Sequence, residues 1–261
     1  MPETNTGPTK ADFIDIMRAK DELERLFTNP EPTKWETTAN RFVGFIDIMG
    51  FKDWVARSPH DEIYDKMRSI VASLKEYEAN VATKARQFFK STIYSDSIIF
   101  YSDSDDLLAT GLICSLMNVF SDTLFQLGIP HKGALAYGKM TLDYENSIFF
   151  GQPLIDAYLL QEELALYGIV VHSSAEVALQ RVSSFHSLVF DYPCPFKAGN
   201  ARHFTIPPLY CKNYFNATDG QAKFMSGFKG FRHTTSGHIR KYIDNTEAYL
   251  KAYNPDLNFD V

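Results

Sequence analysis

The chain has 261 residues, of which 45% are hydrophobic, and it carries a net charge of −6. This acidic balance argues against a nucleic-acid or membrane-surface partner, and the length can bury one large core or two small ones. Three cysteines without CxxC spacing (Cys114, Cys194 and Cys211) fit a reducing compartment as small buried residues. The N-terminus has no basic leader region and no uncharged run long enough to span a bilayer, so we expect a cytoplasmic protein.

Apolar periodicity and breaker residues divide the chain into three predicted regions. Residues 1–35 form a helical appendage, because "ADFIDIMRAKDELERLF" has helical apolar spacing and "TNPEPTK" then ends the helix. Residues 36–215 form the main domain. Residues 216–261 form a C-terminal helical extension, which closes with the helix "GHIRKYIDNTEAYLKAY". Within it, we interpret "FKGFRH" (228–233) as a surface loop.

The main domain alternates strands and helices. The predicted elements, in chain order, are a strand (41–48), a helix capped by Ser58 (58–81), a hairpin (86–102), a helix (106–127), a strand (129–140), a helix that Gly168 follows (151–166), and a strand and helix from 169 onward. The order β-α-β-β-α-β is typical of a ferredoxin-like α+β fold, with a central, mostly antiparallel sheet flanked by helices. Because this topology hosts many functions, the site must decide the function.

One carboxylate, that of Asp47, lies in the most strand-like segment, "RFVGFIDIMGFKDWV". An ionised carboxylate among apolar groups is costly, so it has to be neutralised, paired or metal-bound. By strand alternation, the hairpin places Lys90, Thr92, Tyr94 and Asp96 on one face. In a ferredoxin-like sheet this hairpin neighbours the first strand, so Asp47 and Asp96 meet at one sheet end. Such paired oxygen ligands suit a divalent cation.

The turn after Asp47 offers a phosphate site. Gly50 breaks the strand and a helix starts at Phe51, where free backbone N–H groups and the helix dipole favour an anion. The alternative interpretation is structural: Asp47 caps the following helix, and Asp96 is an ordinary turn residue.

These segments resemble the class III nucleotide cyclases. "FIDIMGFKDWV" resembles the first metal-binding segment of that family, and "IYSDSIIFYS" resembles its second metal-aspartate hairpin. "GIPHKGALAYG" and "GQPLIDAYLL" are similar to its later strand and helix, in the same order, so the resemblance covers residues 41–172. Within the family, the chain is most similar to the bacterial Pycsar pyrimidine cyclases, which make cyclic UMP or cyclic CMP for a separate effector protein in anti-phage defence.

The resemblance implies two-metal catalysis. Asp47 and Asp96 would hold two Mg²⁺ or Mn²⁺ ions, with the Ile48 carbonyl as a backbone ligand, so that the ribose 3′-hydroxyl attacks the α-phosphate and pyrophosphate leaves. Lys132 stands where relatives often carry arginine, and it would neutralise phosphate charge as a point charge. Sites of this family form between two cyclase domains, so a chain with one such domain implies a homodimer.

Departures from the family pattern affect the expected substrate. Adenylate-forming relatives carry a lysine and an aspartate where Thr92 and Ile148 stand, so the pair that reads adenine is absent. Ile155 and Leu159 replace the transition-state asparagine and arginine. We therefore expect UTP as substrate and cyclic UMP as product, with CTP as the alternative, a choice that rests on prevalence in the family. The predicted lining of the narrow pyrimidine pocket is Lys90, Thr92 and Tyr94.

Two further hypotheses remain open. Diguanylate cyclases share the fold and the use of carboxylate-bound divalent metals, but "YSDSI" stands in this sequence where they carry a GG[DE]EF hairpin. A degenerate cyclase fold that acts as a binding or scaffolding module is motivated by Ile155 and Leu159. Retention of both Asp47 and Asp96 favours the enzyme.

Overall fold

The structure, a computed structural model, describes residues 35–81, 87–181, 188–208, 218–257 and 259. The predicted N-terminal helix and Cys211 lie outside these residues. The strands are β1 (Thr38–Ile48), β2 (Phe89–Tyr94), β3 (Ser97–Ser102), β4 (His131–Asp143), β5 (Ile148–Gly151), β6 (Gly168–Val171), β7 (Phe190–Phe196) and β8 (Gly199–Ile206). The helices are α1 (Phe51–Arg57), α2 (His60–Val81), α3 (Leu107–Gln126), α4 (Gln152–Glu163), α5 (Ser173–Leu179), α6 (Thr218–Thr234) and α7 (Arg240–Tyr253), and a 3₁₀ turn (Gly237–Ile239) precedes α7.

The strands form one mixed sheet in the order β2-β3-β1-β4-β6-β8-β7, and β5 pairs with the end of β4. The β4–β6 pair is parallel and the other pairs are antiparallel. Helices cover both faces. This confirms the predicted α+β architecture with a central, mostly antiparallel sheet, and it places β1 beside the β2–β3 hairpin as the ferredoxin-like order predicts.

The two faces of β1 enter different cores. Ile46 and Ile48 pack with Met117 in a cluster formed largely with α2 and α3. Phe45, on the opposite face, packs with Ala157 of α4 in a second cluster. Because both faces are covered, residues 41–46 are all buried, and this explains why the segment reads as a nearly continuous apolar run.

Helix α3 is the central core helix. Its N-cap is Asp106, whose carboxylate accepts a hydrogen bond from the Ala109 N–H at 2.8 Å. Among the described residues, α3 is the helix that is long and apolar enough to cross a bilayer by length and composition, but 67% of its most apolar stretch is buried inside the protein. The buried core helix of a globular protein has the same length and apolar composition.

The segment "FKGFRH" is helical, so its interpretation as a surface loop was wrong. It belongs to α6, and Phe224, Phe228 and Phe231 of that helix are buried against Phe125 of α3. A Cβ on Gly227 would lie 1.8 Å from the carbonyl oxygen of Phe125, so only glycine permits this close approach of the two helices. Aromatic packing here outweighs the low helix propensity of glycine.

Several predicted boundaries shift. Ser58 ends the short helix α1 instead of capping α2, whose first hydrogen bonds run from Glu62 and Ile63 to the Pro59 carbonyl. Helix α4 ends at Glu163, because Leu164 is extended and bridges to β7. Beyond α5, the strands β7 and β8 form a hairpin.

Candidate functional site

The two predicted metal aspartates lie at the same end of the sheet. Asp47, near the end of β1, is the Cα partner of Ser97 on β3 and of Lys132 on β4. Asp96 lies in the two-residue turn between β2 and β3, and the backbone N–H of Ile48 donates to its carbonyl at 2.9 Å. The fold thus brings Asp47, Ile48 and Asp96 together, as the hairpin position in the sequence predicts.

The electrostatics of Asp47 favour a cation. Burial raises the pKa of its carboxyl to about 6; Lys132 acts to lower this pKa, whereas Asp96 and Glu162 act to raise it further. The donors are two carboxylates and a β1 backbone carbonyl, which suit a hard divalent ion that keeps positions open for water or phosphate. Within the described ranges, no group of three or more His, Cys, Asp or Glu side chains is arranged to hold a metal ion.

Lys132 is almost completely buried, with 3% of its surface exposed, and it pairs with Glu162 of α4. Its Nζ lies 3.4 Å from Glu162 Oε1 and 3.3 Å from the Glu162 carbonyl oxygen. Glu162 Oε2 lies 3.6 Å from Nζ of Lys197, which follows β7. Burial acts to raise the pKa of Glu162, but Lys132 and Lys197 hold this pKa below its usual value.

The turn after β1 leaves several backbone N–H groups outside the helical hydrogen-bond pattern. Gly50 has φ 75°, a left-handed conformation that favours glycine, and the Met49 N–H is bound to the Pro130 carbonyl. The first helical hydrogen bond joins the Trp54 N–H to the Gly50 carbonyl, so the preceding N–H groups, from Phe51 onward, lie outside the helical pattern. Because α1 has only seven residues, its dipole is small, and any attraction of an anion to this turn would come mainly from these N–H groups.

Two of the three predicted base-pocket residues line a half-buried surface on β2, and the third does not. Thr92 interacts with the hydroxyls of Tyr101 and Tyr144, and burial raises the pKa of each tyrosine to about 12. Lys90 Nζ lies 4.5 Å from the ring centroid of Tyr144. Tyr94 is 80% exposed beside the turn, so it does not enclose a pocket with the residues that the structure describes.

This surface extends away from the aspartates along the sheet. Lys90 Nζ also lies 4.5 Å from the ring centroid of Trp35, and a cavity of about 280 Å³ borders both residues. The Cα partner of Thr92 is Ile99, two positions along β3 from the partner of Asp47. Strand geometry therefore places Thr92 about 7 Å along and about 10 Å across the sheet from Asp47.

Four residues of this region escaped sequence reasoning. Tyr101 shares a face with Ile99 by alternation, so strand parity was a usable signal for it. Tyr144 lies in the β4–β5 turn, and Glu162 and Lys197 lie on elements far apart in the sequence; no local pattern links these three to the site.

Large apolar side chains are exposed on β5 and α4. Two of them, Ile155 and Leu159, stand where the sequence comparison expects the transition-state asparagine and arginine. Ile155 is 52% exposed and Leu159 is 56% exposed. Tyr158 of α4 and Ile148 and Phe150 of β5 are also exposed, at 46%, 49% and 60%. Exposed apolar residues concentrated in two consecutive elements are typical of an interaction surface.

Comparison with solved structures identifies the fold as that of class III nucleotide cyclase catalytic domains. The catalytic core of a rhodopsin-guanylyl cyclase with converted specificity, in complex with ATPαS, is similar to 67% of this chain over 99% of its own length, with a TM-score of 0.50 and 10% identity. The guanylate cyclase domain of RhGC from Catenaria anguillulae, in complex with GTP, is similar over 66% of this chain and 99% of its own, with a TM-score of 0.48 and 11% identity. A bacterial light-regulated adenylyl cyclase is similar over 66% of this chain and 91% of its own, with a TM-score of 0.45 and 9% identity. No protein-family model and no curated protein matches the sequence.

Proposed function

We propose that the protein is a nucleotide cyclase that converts a nucleoside triphosphate to its 3′,5′-cyclic monophosphate and pyrophosphate. The observation that carries the proposal is the convergence of Asp47 and Asp96 at one sheet end, where the Ile48 N–H is bound to the Asp96 carbonyl. A structural carboxylate on β1 has no evident need for a second one beside it, whereas two-metal phosphoryl chemistry requires both.

The roles of the residues follow from their positions. Asp47 and Asp96, with the Ile48 carbonyl, would hold two Mg²⁺ or Mn²⁺ ions, which when bound lower the pKa of the ribose 3′-hydroxyl and neutralise charge on the leaving pyrophosphate. The N–H groups that follow Gly50, from Phe51 onward, bind phosphate oxygens. Lys132, on the same face as Asp47, supplies positive charge to the triphosphate.

The proposed substrate is UTP and the product cyclic UMP, as a signal that a separate effector reads in Pycsar anti-phage defence; CTP is the close alternative. Thr92 stands at the position that reads adenine in adenylate-forming relatives, and Tyr101 and Tyr144 narrow the space around it. Their protonated hydroxyls and that of Thr92 both donate and accept hydrogen bonds, which suits the edge of a pyrimidine. The arrangement supports a pyrimidine without separating uracil from cytosine.

The exposed apolar residues of β5 and α4 support the proposal of a homodimer with sites at the interface, and we expect this dimer in the cytoplasm. A second copy burying Phe150 and Leu159 would remove a large apolar area from water. Neither a nucleic acid nor a membrane surface is proposed as a partner, because the chain carries a net charge of −6.

One observation favours a second candidate, a binding or scaffolding module without turnover. Ile155 and Leu159 present hydrocarbon where relatives place the asparagine and arginine that stabilise the transition state. In a scaffold, these side chains would serve only the interface.

Product analysis separates the candidates. Purified protein is incubated with ATP, GTP, CTP and UTP separately in the presence of Mn²⁺, and the products are identified by mass spectrometry. A cyclic pyrimidine monophosphate is the expected product. Cyclic AMP or cyclic GMP would refute the pocket assignment, and the absence of any cyclic product with intact protein would favour the scaffold.

A further inference from the structure

We propose that Glu162 is an internal competitor for polyphosphate: its carboxylate bridges Lys132 and Lys197, and a polyphosphate group displaces it when it binds at the Asp47 end of the sheet. The inference rests on the proposed function for the identity of the site and adds a residue that controls access to it. The ligand class is a di- or triphosphate group, for which inorganic pyrophosphate is the simplest probe.

The geometry of Lys132 is the first support. Directly opposed residues of antiparallel strands project from the same face, so the side chains of Lys132 and Asp47 lie side by side. Yet in the described part of the chain the ion pair of Lys132 is with Glu162, at 3.4 Å, and Asp47 acts on it at longer range. The positive charge of Lys132, which could bind a phosphate beside Asp47, is therefore already paired with the Glu162 carboxylate.

The second support is that Glu162 contacts two lysines from different elements. Its Oε1 faces Lys132 of β4, and its Oε2 faces Lys197, which follows β7. Carboxylate and phosphate oxygens are both acceptors for ammonium groups, and a polyphosphate, with more oxygens and more charge, can bind both lysines at once. The Glu162 and Lys197 side chains are 40% and 49% exposed, so the bridge can open without disturbing the core.

The third support is that few contacts of the Glu162 carboxylate hold the fold: besides the two lysines it accepts one hydrogen bond, from Gln161 Nε2 at 3.3 Å, and a glutamine at position 162 can accept the same bond through its amide oxygen. Glu162 lies in the last turn of α4, where the helix dipole disfavours a negative side chain. Lys132 also contacts the Glu162 backbone carbonyl at 3.3 Å, and this partner remains if the side chain leaves. The carboxylate therefore blocks the two lysines without being needed to hold the helix.

The test is pyrophosphate binding to the full chain, measured by calorimetry in EDTA so that neither metal nor turnover contributes. Glu162→Gln is expected to bind pyrophosphate about three- to tenfold more tightly than wild type, the scale of one partly exposed ion pair. Glu163→Gln is the matched control, because it makes the same charge change on the exposed neighbouring residue and should bind like wild type. Adding Lys132→Gln to Glu162→Gln should abolish the gain.

Unchanged or weaker pyrophosphate binding by Glu162→Gln would overturn the inference, as would an equal gain in Glu163→Gln. If Glu162→Gln does not fold, Glu162→Asp provides the same comparison, because its shorter side chain reaches the lysines less well and should give a smaller gain. The readout is independent of cyclase activity: a gain in a protein that cyclises no nucleotide keeps the competitor and refutes the enzyme. Cyclase activity in the wild type, together with unchanged pyrophosphate binding by Glu162→Gln, would keep the enzyme and refute the competitor.

Discussion

The backbone N–H of Ile48 donates a hydrogen bond to the carbonyl of Asp96 at 2.9 Å. This bond joins the end of β1 to the turn of the neighbouring hairpin, so the residue after the first aspartate is fixed directly to the second aspartate. The backbone positions of the two aspartates are thereby held relative to each other by the sheet. Such fixed spacing is what a site for two cations and a triphosphate requires.

Replacing the glycine that ends β1 tests the phosphate turn. Gly50→Ala should lower the free energy of unfolding by about 1 kcal/mol, because alanine is strained in the left-handed conformation at φ 75°. It should also raise KM for the nucleotide, since the N–H groups that follow move with the turn. Gly111→Ala in α3 is the control: its Cβ meets nothing within 4 Å, and it should raise the free energy of unfolding by about 1 kcal/mol. Chemical denaturation measures the free energy of unfolding of the two variants, and steady-state kinetics measure KM. A stability change of the same sign in Gly50→Ala and Gly111→Ala would contradict the left-handed conformation assigned to Gly50.

The Lys132 charge should matter for substrate more than for folding. Lys132→Gln should raise KM for the triphosphate about tenfold, because one positive charge beside the phosphates is lost. Lys132→Arg should retain most of the affinity. Steady-state kinetics with thermal melts provide the measurement, and an unchanged KM in the folded glutamine variant would remove Lys132 from the site.

A buried histidine predicts acid sensitivity. His131 is completely buried, its Nε2 lies 2.8 Å from the Ser121 hydroxyl, and burial lowers its pKa to about 4. The unfolded chain binds this proton near pH 6.5, so stability should fall as pH decreases from 6.5 to 4, by up to about 3 kcal/mol. His131→Gln should flatten this dependence, and His238→Gln, at an exposed position, should not. Urea denaturation at several pH values distinguishes the two, and equal pH profiles for wild type and His131→Gln would refute the attribution.

The exposed apolar surface predicts an oligomer. Phe150→Asp places a charge within the proposed interface and should convert a dimer to a monomer and abolish turnover, because in the proposed composite site each active site needs the second copy. Val177→Asp is the control, since Val177 is 65% exposed on α5, outside this surface. Sedimentation equilibrium measures the mass. A wild-type monomer with full activity would contradict the composite site.

The convergence of Asp47 and Asp96 was accessible from the sequence because it follows from local patterns. The apolar run of β1 stops at Gly50, and the hairpin turn at Ser95 and Asp96 fixes the parity of β2. Once these strands are placed in the β-α-β-β-α-β order, both aspartates must lie at one sheet end.

The rest of the site depends on tertiary contacts without a local signature. Glu162 meets Lys132 because α4 packs on β4, and it meets Lys197 because the chain at the end of α4 bridges to the end of β7. The helical state of residues 228–233 within α6 was missed for the same reason: Gly227, just before them, reads as a helix breaker until its contact with Phe125 is known. Local propensity describes a residue's preference, whereas tertiary packing decides its state.

The most direct test of the account is pyrophosphate release from UTP at graded Mn²⁺ concentrations by wild type, Asp47→Asn, Asp96→Asn and Asp65→Asn. Asp65, which is exposed on α2, loses the same charge outside the proposed metal and phosphate sites. The account predicts Mn²⁺-dependent release by wild type and Asp65→Asn, and a loss of at least about 100-fold in the other two variants, which should remain folded. Turnover that survives in Asp47→Asn or Asp96→Asn would contradict a catalytic centre built on these two carboxylates.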